Sequence, residues 1–98
     1  MNQDDAYKKL NELSKEDLVL FRANLHADSV PMPIWESRMK IVQNLTGLVA
    51  RIAKEKSFDI PSVGDLLKIQ RDSYIDPNKN IIKYLSVSWE ELEKSYFC

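Results

Sequence analysis

The single histidine, His26, stands two residues from Asp28, and adjacent carboxylates occur at Asp4/Asp5, Glu16/Asp17 and Glu90/Glu91. An imidazole beside a carboxylate can relay a proton, and two close carboxyl groups can divide general acid and base roles. Helix chemistry accounts for all of them more simply. His26 falls near the end of a helical pattern, where a cation suits the negative end of the helix dipole, and each acidic pair opens a helical pattern, where carboxylates are favoured. The chain has no glycine-rich phosphate loop, no H-E-x-x-H, no nucleophile elbow and no CxxC pair. With one histidine and one cysteine, Cys98, a metal would have to be held almost wholly by carboxylates. No enzymatic activity, metal or cofactor is expected. Asn44-Leu45-Thr46 matches a glycosylation acceptor, which has no meaning outside a secretory context.

The aromatic residues point to binding. Tyr74, Tyr84, Trp89, Tyr96 and Phe97 crowd towards the C-terminal end, with Glu90, Glu91 and Glu93 among the last three. Tryptophan and tyrosine dominate binding hot spots because they bury much area at small entropic cost. Ringed by acids, Trp89, Tyr96 and Phe97 would suit a protein partner with a basic rim and an apolar centre. Trp35, in line with Met39 and Val42, is a further candidate anchor. The competing expectation for all of these aromatics is ordinary core packing.

The elements that must position these residues are helical. A chain of 98 residues with 44% hydrophobic and 30% charged residues is one globular domain spanning residues 1–98, and its two glycines are few for a turn-rich β fold. Fourteen basic against fifteen acidic residues leave a net charge of −1, giving no overall attraction to nucleic acid or an anionic membrane. No apolar run approaches the ~20 residues that cross a bilayer. The opening "MNQDDAYKKLNEL" lacks the basic and apolar stretches of a signal peptide, so a reducing cytoplasm is expected, with Cys98 an exposed thiol.

Residues 4–13 predict a first turn or two of helix. Ser14 then caps a helix over residues 15–27 that carries Leu18, Phe21 and Leu25 on one face. Pro31 and Pro33 hold the chain extended through Val30 and Met32, and Pro33 opens the next helix. From residue 34 to 56 a broad apolar stripe of Trp35, Met39, Ile41, Val42, Leu45, Leu48, Val49, Ile52 and Ala53 predicts the central core helix. Gly47 is the point at which it would break in two. Ser62 caps a third core helix with Val63, Leu66, Leu67 and Gln70 on a face. Asp76 and Pro77 favour helix over 77–85, although "IIKYLSVSW" is also rich in strand formers. Ser88 and Glu91 form a capping box for a final short helix.

Four segments, "LSKEDLVLFRANL", "LTGLVARIAKEK", "IPSVGDLLKI" and "YLSVSWEEL", resemble in order the first, third, fourth and fifth helices of phage-repressor-type helix-turn-helix domains. They share the patterns P-S-x-x-x-L-L-K-I and L-x-V-S-x-x-x-L. That resemblance implies DNA binding, with Gln43, Asn44, Thr46, Arg51 and Lys54 on or near the recognition helix, offering amides to adenine edges and cations to guanine or phosphate. The glycine of the tight turn is absent, Gln43 or Asn44 standing near it. "IPSVGDLL" with "DPNKNII" is similar to small helical immunity proteins that neutralise nuclease bacteriocins, with Lys68 and Ile69 where those present paired tyrosines.

The expectation is therefore an all-α bundle of four to six short helices around one longer central helix, with a two-stranded ribbon near 81–87 as the variant. Its expected role is a small non-enzymatic protein-binding factor, an inhibitor, adaptor or immunity-type protein. Its partner would be another protein, a second copy in a homodimer included. DNA is the partner only under the helix-turn-helix alternative, and a membrane is under neither.

Overall fold

Short polar side chains placed just ahead of apolar periodic stretches decide where the helices begin. In the computed structural model, which describes residues 1–25 and 32–97 (of 32–35 the backbone alone), Ser14 Oγ accepts from the Asp17 N–H at 3.1 Å and Ser62 Oγ from Asp65 at 3.3 Å. Ser88 Oγ likewise accepts from Glu91 at 3.2 Å, Asn2 Oδ1 from Asp5 at 2.9 Å, and Asp76 Oδ2 from Asn78 at 3.0 Å. Each satisfies a backbone donor that a helix start leaves without an intrahelical partner. The resulting elements are α1 (Gln3–Asn11), α2 (Lys15–Ala23), α3 (Met32–Glu55), α4 (Val63–Asp72), α5 (Pro77–Leu85) and α6 (Trp89–Ser95). The paired carboxylates Asp4/Asp5, Glu16/Asp17 and Glu90/Glu91 all fall in first turns, as the dipole argument requires.

Among the described residues there is no strand, so the ribbon variant at 81–87 does not form. Asp76 caps and Pro77 opens α5, and Ser86, at a left-handed φ of 64°, closes it. The central helix α3 is unbroken across Gly47, whose exposed position leaves open space around it. Most of its stripe packs as the spacing predicts: Ile41, Val42, Leu45, Val49, Ile52 and Ala53 are buried and Met39 and Leu48 half-buried, while Glu36, Lys40, Gln43, Arg51 and Lys54 face outward. Two boundaries differ from expectation. Met32 is already helical, with Pro33 second in the helix, where its missing N–H still costs no intrahelical bond. Helix α2 closes with Asn24 as its C-cap, short of the expected end at Ala27, which like Val30 and Pro31 lies outside the described residues.

Helices α1, α2, α3, α5 and α6 share one core, including Leu10, Leu18, Phe21, Leu45, Ile52, Ile81, Leu85, Trp89 and Leu92. The Cα radius of gyration is 12.7 Å, close to the ~13 Å expected of a folded chain this long. Helix α4 stands outside that core and packs against α2, with Leu66 as its one buried side chain.

Candidate protein-binding groove

The C-terminal aromatics divide. Trp89 and Tyr96 are each only 1% exposed and belong to the chain's own core, whereas Phe97 is 55% exposed and meets the Tyr96 ring edge-on at 5.1 Å. The acids between them are largely taken up internally. Arg38, buried on α3, donates from Nε to Glu93 Oε1 at 2.9 Å, lies 3.6 Å from Glu90 and sits 5.2 Å above the Trp89 ring. Glu91 lies 4.0 Å from the Met1 ammonium. Of the expected contact set, α6 and the residues after it thus leave Phe97 and partly paired carboxylates at the surface. The side chain of Trp35 lies outside the described residues, as do His26 and Asp28.

Helix α3 runs unbroken through Gln43 and Asn44, where the helix-turn-helix resemblance would place a turn. Asn44 spends its amide internally, donating to Gln3 Oε1 at 3.2 Å and accepting from the Tyr96 hydroxyl at 2.6 Å. Burial pushes the Tyr96 phenol well above its usual range. Arg51 lies 4.6 Å from the Tyr7 ring centre and 3.7 Å from Glu55, which also accepts from the Tyr7 hydroxyl at 2.6 Å and raises its pKa. Thr46 is half-buried, leaving Gln43 and Lys54 as the exposed members without such ties.

A different surface emerges between α2 and α4. The sequence places Val63, Leu66, Leu67 and Gln70 on one face of α4, and that face was expected in the core. The structure buries Leu66 but leaves Val63 70% and Leu67 59% exposed. The reason is geometric: among the described residues α4 packs chiefly against α2, and one main neighbouring helix covers only part of an apolar arc this wide. With Ala23 and Leu25 across from them, these side chains border a depression of about 210 Å³.

Arg22 forms part of the opposite wall. It is half-buried, has no ion pair among the described residues, and burial holds its guanidinium pKa below the ordinary value. Along α4, Arg71 continues the Val63 and Leu67 line at the next i+4 position, and Asp65 and Asp72 project to the far side at ~100° per residue. Asn24 fixes the groove's far end. Its Nδ2 donates to Leu20 O at 3.1 Å and Ser73 O at 3.3 Å, and its Oδ1 accepts from the Ile75 N–H at 2.9 Å, tying the end of α2 to the exit of α4.

Arg22, Asn24 and Arg38 carry no local sequence signal, since their roles depend on partners distant in the chain. Among the described residues no cluster of three or more His, Cys, Asp or Glu side chains could hold a metal, and no helix is long and apolar enough to cross a membrane. No protein-family model, curated protein or solved structure matches the chain.

Proposed function

We propose that the chain is a non-enzymatic binding factor for another protein and that its contact surface is the groove between α2 and α4. The observation that carries this reading is the exposed apolar line of Val63 and Leu67 beside the half-buried Arg22, which has no ion pair among the described residues. Large exposed apolar residues that adjoin one another on a small domain mark interaction sites more often than scattered ones do. At about 210 Å³ the depression falls below the ~300–1,000 Å³ typical of small-molecule sites, which favours a partner inserting a side chain over a free ligand. The Phe97 edge, with Glu90 and Glu93 already paired to Arg38, offers less uncommitted surface.

A photo-crosslinking side chain at position 67, compared with one at the similarly exposed Ile82 on α5, tests the site. The expected result is one discrete adduct from position 67, competed by the unlabelled protein but not by a Leu67→Glu competitor. Equal adducts from positions 67 and 82, or none from 67, would remove the groove as the contact surface.

A further inference from the structure

Resting on that reading, we infer that the groove receives an acidic amphipathic helix, an apolar side chain entering between Val63, Leu67 and Leu25 while a carboxylate pairs with Arg22. Charge decides the sign of the partner. Arg22 stands on one wall and Arg71 in register with Val63 and Leu67, while the carboxylates of α4 lie on its other side. Arg22 lines the depression, is half-buried and has lost part of its hydration on folding without gaining an anion among the described residues. An incoming carboxylate therefore gains a charge-assisted, bidentate partner at reduced desolvation cost, because the fold has paid part of it. A basic or neutral segment would leave that half-buried charge unmatched.

Spacing decides the shape. Val63 and Leu67 are one turn apart, ~6 Å along the axis, and Arg71 adds a further ~6 Å. A second helix offers the same period, so apolar residues at i and i+4 with a glutamate one turn further match the line of α4 position by position. An extended strand, which alternates its side chains every ~3.3 Å, would place every other one away from the groove. Nucleic acid is disfavoured because the walls between the two arginines are apolar, and a phosphate backbone would gain nothing from Val63 and Leu67.

The test uses the full chain with a synthetic 14-residue helical peptide carrying leucines at i and i+4 and flanking glutamates. A second peptide replaces each glutamate by lysine, and vesicles of anionic phospholipid serve as a third probe. Amide chemical shifts report the site and fluorescence titration reports affinity. The glutamate peptide is expected to shift amides of α2 and α4, to bind about tenfold more weakly to Arg22→Gln, and to be lost on Leu67→Glu. Arg71→Gln, fully on the surface, should also weaken it and guards against a folding defect in the Arg22 variant. Equal binding of the lysine peptide, an unchanged affinity in both arginine variants, or binding to vesicles in preference to peptide would each overturn the inference. If a Leu67→Glu competitor fails to displace the position-67 adduct while both arginine variants compete for it as the unaltered chain does, the acidic partner is refuted and the groove itself stands.

Discussion

Two neighbouring leucines on α4 give the sharpest test of this structure. Leu66 is 6% exposed and Leu67 is 59% exposed, although the two differ by one position in the sequence. Removing a buried leucine side chain costs about 2–5 kcal/mol. Leu66 packs against α2 outside the main core, where the void can relax, so Leu66→Ala should fall near the lower bound, about 2 kcal/mol. Truncating a mostly exposed side chain stays within about 0.5 kcal/mol. For a domain of this size each kcal/mol moves Tm by about 4–8 °C. Leu66→Ala should therefore lower Tm by roughly 8–16 °C, and Leu67→Ala by less than about 4 °C. Trp89, buried in the shared core, is the natural fluorescent reporter, and urea melts should show a lower midpoint at unchanged slope for Leu66→Ala. If Leu67→Ala proved as costly as Leu66→Ala, the groove would be filled in the native protein. The contact surface proposed for α2 and α4 would then not exist.

Two further outcomes follow from the described contacts. Gly47→Ala should stabilise the protein by about 0.5–1 kcal/mol, seen as a higher urea midpoint, because a Cβ there meets nothing within 4 Å and glycine is costly inside a continuous helix. A loss of stability would mean that α3 is interrupted at that position. Tyr96 should resist ionisation: the folded state holds its proton more tightly than the unfolded state does, so that contribution is complete below the ordinary phenol pKa of ~10 and declines as pH rises above it. Alkaline titration of the near-ultraviolet phenolate band should show a late component that Tyr96→Phe removes, and an early transition for that residue would contradict its burial.

What the sequence made legible is the part governed by neighbours within one or two turns. Ser14, Ser62, Asp76 and Ser88 all cap the helices assigned to them, and Pro77 tips an otherwise strand-rich segment into α5, because capping is settled by three or four consecutive residues. The stripe of α3 is equally local, and its burial follows once any neighbours exist. Legibility stops where a partner is remote. Arg38 meets Glu93 across 55 positions and Asn24 meets Ile75 across 51, so the captured acids of α6 could not be told from free ones. The aromatics near the C-terminal end posed the same difficulty, since Trp89 carries the same residue type whether it anchors a core or a partner.

Helix α4 shows why an apolar face that stays exposed reads, in the sequence, like one that enters the core. Periodicity reveals that a helix has an apolar arc, but the width of arc that becomes core is fixed by how many neighbours surround it. Helix α3 has α1, α2 and α6 against it and hides most of its stripe, whereas α4 among the described residues packs chiefly against α2 and hides Leu66. The difference between the arc written in the sequence and the arc covered in the fold is Val63 and Leu67. Arg22 lies across from that remainder, part of its charge already taken out of water and no anion beside it among the described residues. A hydrophobic surplus alone would be a solubility cost with no stated occupant. The adjoining unmatched cation turns it into a surface with a preferred chemical complement, one that is apolar at its centre and carries negative charge one turn away.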